Sequence, residues 1–156
     1  MTGEKQFSNK KILVAVDESE NARRAVSYVA ELLGGIEGFE VTILHVIPLP
    51  EDDFFLTVTE KEKWLSQYRV KIEAVLQGYR QILIGAGFHP NDVSLRSPTR
   101  YCPSMAACIL AERGVREYGT IVVGRQGLSR TEEFLFGSIS SKIVTHARNC
   151  TVWVVE

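Results

Sequence analysis

Short unbroken apolar runs alternate along this chain with longer stretches in which apolar residues return every three or four positions. Ile12-Leu13-Val14-Ala15-Val16 is the first run, the pattern of a strand buried on both faces. Ala22, Ala25, Val26, Val29 and Leu33 then mark one stripe of a helix opened by Asp17. Asp17 and Glu20 stand at capping-box spacing, and Gly34-Gly35 stops the helix. Val41 to Ile47 reads as a second strand, closed by Pro48. Residues 48–60 hold two prolines, an acidic cluster and the pair Phe54-Phe55, and read as a loop.

A long helix follows from about Lys61 to Ile84, its stripe running Leu65, Tyr68, Ile72, Val75, Tyr79, Ile82 and Ala86, with Gly85 and Gly87 to end it. Val93-Ser94-Leu95 is a third strand. Pro103 starts a third helix whose inner positions are Ala106, Ile109, Ala111 and Val115. Thr120 to Val123 is the fourth strand. A helix from Ser138, with Ile139, Ile143, Val144 and Ala147 at helical spacing, leads to the last strand, Thr151 to Val155. The alternation predicts βαβ units and right-handed crossovers: an α/β fold with a five-stranded parallel doubly wound sheet, helices on both faces. Such sheets take ligands outside the carboxyl ends of the strands, where the winding reverses. Asp17 ends the first strand and Gly124 follows the fourth, so both face one crevice if those strands are neighbours.

Composition narrows this picture without redirecting it. The chain has 156 residues, 45% hydrophobic and 24% charged, which suits one domain over 1–156 with residues 1–10 as a flexible lead. A net charge of −1 with interleaved signs lacks the basic face of a nucleic-acid binder. No apolar run approaches a membrane span, and the polar start lacks a secretion signal, so the expected location is cytoplasmic. Cys102, Cys108 and Cys150 form no C-x-x-C pair and are odd in number, suggesting neither a disulfide framework nor a zinc site; buried or half-buried thiols are expected. His45, His89 and His146 follow no ligand spacing, and His45 reads as a hydrogen-bonded core residue.

The distinctive chemistry lies between the fourth strand and the last helix. Gly124-Arg125-Gln126-Gly127 is followed by nine residues and then Gly137-Ser138. Glycines let backbone amides approach an anion without a Cβ between them, and a helix start offers free N–H groups and a positive dipole end. A loop that merely turns the chain is the plainer alternative.

Lys11 to Ser19 resembles the first strand of the universal stress proteins, and Leu44-His45-Val46-Ile47 their second. The spacing from Gly124 through Gly127 to Gly137-Ser138 is similar to that family's nucleotide signature, G-x2-G-x9-G-[ST]. The likeness runs from Lys11 to Val155 and is weakest over residues 48–100. It implies an adenine nucleotide alpha-hydrolase-like three-layer α/β/α fold with strand order 3-2-1-4-5. It also implies ATP, or ADP or AMP, as ligand. Ala15, Val16 and Asp17 would meet adenine and ribose, and Val46 would offer main-chain groups to the adenine edge. Val123, Gly124, Arg125, Gln126 and Gly127 would wrap ribose and phosphate. Gly137, Ser138, Ile139 and Ser140 would hold phosphates.

Each assignment has a plainer counterpart. Asp17 can cap the first helix as well as accept from a ribose hydroxyl. Ser138 and Ser140 are also ordinary helix-start residues. Gln126 stands where the family often has a basic residue, and Arg125 and Arg130 either compensate or are surface arginines. Mg2+ would be held by phosphate oxygens and water, with no protein side chain as metal ligand. No acid/base pair, Walker pattern or dinucleotide pattern accompanies the loop, so the expected role is nucleotide-dependent stress response or signalling, with at most slow ATP hydrolysis. An adenylate-transferring enzyme and a ligand-free interaction module on the same fold are the alternatives, the latter with Phe54-Phe55 as its surface. The last strand, apolar and without proline or internal charge, would lie at a sheet edge and predicts a homodimer through it.

Overall fold

A computed structural model describes residues 9–125 and 138–156. Strands β1 (Lys11–Ala15), β2 (Glu40–Leu44), β4 (Val93–Arg96), β6 (Thr120–Gly124) and β7 (Thr151–Val155) form one sheet. Its order is β4-β2-β1-β6-β7, and every neighbouring pair is parallel. Two residue-pair strands, β3 (Ile47–Pro48) and β5 (Thr99–Arg100), make a separate two-stranded sheet just past the ends of β2 and β4. With these set aside, the order is third, second, first, fourth, fifth, as the resemblance implied.

The alternation of side chains along β1 builds the two halves of the core. Ile12, Val14 and Val16 face helices α1 (Glu20–Leu33) and α2 (Val58–Gly85). Leu13 and Ala15 face the side covered by α3 (Met105–Arg116) and α4 (Ser138–His146). Both clusters are almost dry, with Leu13, Val14, Val29, Ile43, Leu83 and Ile143 at 0% exposure. That burial on both faces is why the strands read as continuous apolar runs.

Several local expectations shift. Helix α1 begins two residues later than the Asp17 reading placed it, because Ser19 is its N-cap: the Ser19 hydroxyl accepts from the Ala22 N–H at 3.2 Å. Helix α2 starts at Val58, capped by the Thr57 hydroxyl, which accepts from the Glu60 N–H at 3.1 Å. Its deepest residues are Ile72, Leu76, Tyr79 and Leu83, so the buried stripe is rotated slightly from the one running through Val75 and Ile82, which are half-buried. In α4, Val144 faces outward and Ile143 carries the burial. The lead over residues 1–10 lies outside the described residues as far as Ser8.

The largest correction concerns α3. Ala111 and Val115 are exposed, and Glu112 takes the inner position at 1% exposure. Arg96 at the end of β4 donates to Glu112 Oε2 through Nε (3.3 Å) and Nη2 (2.9 Å). Arg100 of β5 donates to Oε1 through Nε (2.9 Å) and Nη2 (2.6 Å). Burial pushes this carboxyl up, but the hydrogen bonds and charges of Arg100 and Arg96 outweigh it and hold it below the ordinary range. A charged residue can face inward when two guanidinium groups meet it there.

The cysteine reading is also corrected. Cys102 and Cys108 form a disulfide, with Cα atoms 5.8 Å apart, and Cys150 is the free thiol. Ser104 caps α3, so the chain turns at Pro103 and brings Cys102 over the first turn, where Cys108 sits. The bond links the incoming chain to that turn as a hydrophobic staple would, here covalently. Of the three thiols expected, only that of Cys150 remains. Among the described residues, no helix is long and apolar enough to cross a membrane.

Candidate functional site

Strand β1 connects to β2 on one side and lies beside β6 on the other, so the winding reverses between β1 and β6. A cavity of about 270 Å³ opens there at the carboxyl ends of the strands. Its floor is Ala15 and Val16 at the end of β1, Leu44, His45 and Val46 at the end of β2, and Val123 and Gly124 of β6. Asp17, Ser19 and Ala22 form one wall, Met105 and Ile109 of α3 another, and Ile139 at the start of α4 a third. A mostly apolar lining with few polar groups, near the lower end of small-molecule pocket sizes, suits a flat ring system with a polar edge.

The local chemistry explains why the chain opens at this point. Asp17 Oδ1 accepts from the Ser19 N–H at 2.8 Å, turning the backbone away from the sheet immediately before α1. Tyr79 of α2 donates its hydroxyl to the Asp17 carbonyl oxygen at 2.6 Å, fixing the same turn from behind. Burial, then the charge of Asp17, pushes the Tyr79 hydroxyl up, so it stays a donor. On the opposite side, Gly124 touches the first turn of α1: a Cβ there would fall on the backbone oxygen and carbon of Asn21. Its glycine therefore serves helix–strand approach as well as the cavity.

The structure gathers Ala15, Val16, Asp17, Val46, Val123, Gly124 and Ile139 of the sequence-assigned residues around one space. Arg125 turns elsewhere: its N–H donates to the Val155 oxygen (2.7 Å) and its Nη1 to Glu156 Oε1 (3.1 Å). Ser138 is exposed at the first position of α4, and Ser140 is fully buried behind it. Gln126, Gly127 and Gly137 lie outside the described residues, as does Arg130. Sequence reasoning missed Ser19, Ala22, Leu44, His45, Met105 and Ile109 as lining residues. Met105 and Ile109 stand four apart on α3, a spacing that marks one face, but nothing in the sequence says that this face looks into a cavity.

Fold and crevice together define a doubly wound α/β domain with a cavity at its topological switch point. Residues 8–156 match the model of the universal stress protein family. The chain belongs to the universal stress protein family. A Staphylococcus epidermidis relative bearing that family name, SERP1273, is 32% identical over 158 residues, covering 96% of this chain and 86% of its own. Among solved structures, hypothetical protein MJ0577 superposes with a TM-score of 0.76 at 22% identity, covering 94% and 95% of the two chains. A universal stress protein in complex with cAMP superposes at 0.69 with 17% identity, covering 95% and 97%. The Archaeoglobus fulgidus protein in complex with dAMP superposes at 0.65 with 20% identity, covering 94% and 97%.

Proposed function

We propose that this chain binds an adenine nucleotide, ATP with Mg2+ foremost, and acts as a nucleotide-dependent stress-response or signalling module. The observation that carries this is the convergence of Asp17, Val46, Gly124 and Ile139 on one apolar cavity at the switch point. The cavity has room for a base and ribose. Asp17, half-buried in the cavity wall, would meet the ribose hydroxyls, from which a carboxylate can only accept. Phosphates would then extend toward the start of α4, whose leading N–H groups and dipole favour anions. The cAMP and dAMP complexes of two structural relatives support an adenine ligand.

Mg2+ would arrive with the phosphates. Its ligands would be phosphate oxygens and water. Binding rather than turnover is the favoured role. Among the described residues, the titratable groups lining the cavity are His45, with both ring nitrogens engaged, and Asp17, with one oxygen held by Ser19. Hydrolysis would thus be slow.

The second part of the proposal is a homodimer through β7. This strand pairs only with β6 among the described residues, and Val152 to Val155 are half-buried on a monomer. Trp153 meets Tyr28 edge to face at 6.1 Å, and Tyr28 and Leu32 beside it are 45% and 47% exposed. An apolar edge flanked by exposed apolar side chains is a surface that a second copy would cover. Titration calorimetry with Mg-ATP tests the nucleotide assignment: Gly127→Val and Gly137→Val should each abolish binding while the far-ultraviolet spectrum stays native. Unaltered affinity in either variant would refute the assignment of the glycine loop to phosphate.

A further inference from the structure

The ladder between β1 and β2 ends irregularly. Val16 donates its N–H to the Leu44 oxygen at 2.8 Å, as a parallel ladder requires. The next rung would have the Val16 oxygen accept from the Val46 N–H. Instead, His45 Nδ1 lies 2.7 Å from the Val16 oxygen. Among the described residues neither the N–H nor the C=O of Val46 has a partner, although Val46 is only 2% exposed. The flanking amides are accounted for on the other side, where His45 N–H donates to the Arg96 oxygen (2.9 Å) and Ile47 N–H to the Pro98 oxygen (2.8 Å). By the alternation of the strand, the Val46 groups point toward β1, which has already turned away at Asp17. They therefore face the cavity that Val46 lines.

The tautomer follows from the partners. A carbonyl only accepts, so Nδ1 carries the proton. Nε2 is then an acceptor, and the Tyr68 hydroxyl donates to it at 2.8 Å. The two rings stack with centroids 5.8 Å apart. Burial, and then the charges of Glu18 and Asp17, pushes the Tyr68 hydroxyl up, which keeps it a donor. Tyr68 and Tyr79 lie three turns apart on α2. One holds the Val16 carbonyl through His45, and the other holds the Asp17 carbonyl directly.

We propose that His45 is a positioning residue for base recognition: by occupying the Val16 carbonyl, it leaves the Val46 N–H free to read the amino edge of a purine beside the Val46 C=O, which the turn at Asp17 leaves open. This rests on the adenine-nucleotide reading above. Adenine offers an amino donor beside a ring-nitrogen acceptor and so complements a C=O and N–H pair; guanine reverses that order. Tyr68 keeps the imidazole in the required tautomer and orientation.

Binding of Mg-ATP and of Mg-GTP to the full chain, measured by titration calorimetry, tests the assignment in wild type, His45→Leu, His45→Asn and Tyr68→Phe. The asparagine amide nitrogen occupies the place of Nδ1 and keeps the bond to the Val16 oxygen; leucine does not. Wild type should prefer ATP. His45→Leu should lose about tenfold in ATP affinity with GTP affinity unchanged. His45→Asn should recover most of that preference, and Tyr68→Phe should lose part of it. Should His45→Leu fail to fold, the same ratio in Tyr68→Phe against His45→Asn decides the matter. Equal weakening of both nucleotides, or a wild type that does not distinguish them, would overturn the role of His45 and leave nucleotide binding standing. A wild type that binds neither nucleotide would overturn the nucleotide reading itself.

Discussion

Glu112 is the buried charge on which the upper edge of the sheet depends, and its replacement gives a calculable loss. Its carboxylate is 1% exposed and takes four N–H donors, two from Arg96 and two from Arg100. Those arginines sit on the main sheet and on the small β3–β5 sheet, so the carboxylate ties both to α3. Removing one partner of a fully buried ion pair costs about 3–5 kcal/mol. Here the two guanidinium groups retain 28% and 36% exposure and can turn to water. The expected loss for Glu112→Ala is therefore smaller, about 2–3 kcal/mol, or about 4–12 °C in melting temperature for a chain of this size. Glu112→Gln keeps the shape and should cost about 1–2 kcal/mol through weaker, uncharged hydrogen bonds.

The sign of the pH dependence follows from the depressed carboxyl. A group held below its unfolded-state value contributes fully above that value, about 4.3 for Glu, and loses its contribution as pH falls through the folded value. Urea unfolding of wild type and Glu112→Gln should thus differ at pH 7 and converge in the acid range below about pH 4. A difference that stays constant into that range would refute the charged pairing. Equal stability of the two proteins at pH 7 would refute its importance.

Other expectations are independent of that cluster. Gly124→Ala should destabilise by about 1–3 kcal/mol in urea unfolding, because the added methyl group meets the Asn21 backbone rather than a movable side chain; an unchanged midpoint would contradict the close approach. Val154→Lys should convert dimer to monomer in sedimentation, and an unaltered dimer would rule out the β7 interface. The Cys102–Cys108 disulfide spans six positions, and chain entropy assigns such a closure about 2 kcal/mol. Dithiothreitol should therefore lower the melting temperature of wild type and leave that of the Cys102→Ser/Cys108→Ser protein unmoved; the same response in both would contradict the bond.

What could be read from the chain depended on whether one local rule governed the residue. The β1 run and the α1 stripe were legible because apolar burial alone sets them, and all of Ala22, Ala25, Val26, Val29 and Leu33 are buried. Helix α3 was misread where Glu112 replaced a hydrophobe, since its two arginine partners lie on strands that periodicity cannot bring together. The strands β3 and β5 were invisible because two residues carry no period. Asp17 was read as a site residue and lines the cavity, yet its turn was mistaken for the helix cap that Ser19 provides a little further on. His45 was legible as a hydrogen-bonded core residue, but its place in the cavity arises from the splaying of β1 and β2. No pattern in either strand encodes that divergence.

The central claim is that an adenine nucleotide occupies the crevice between the ends of β1, β2 and β6. Its most direct test is to denature the purified protein and identify what it releases by chromatography and mass spectrometry, followed by titration of the refolded protein with Mg-ATP. The account predicts an adenine nucleotide approaching a single molecule per chain, or saturable binding of added Mg-ATP at that ratio. A protein that releases nothing and fails to bind added Mg-ATP would contradict it, and the interaction-module reading of the same fold would take its place.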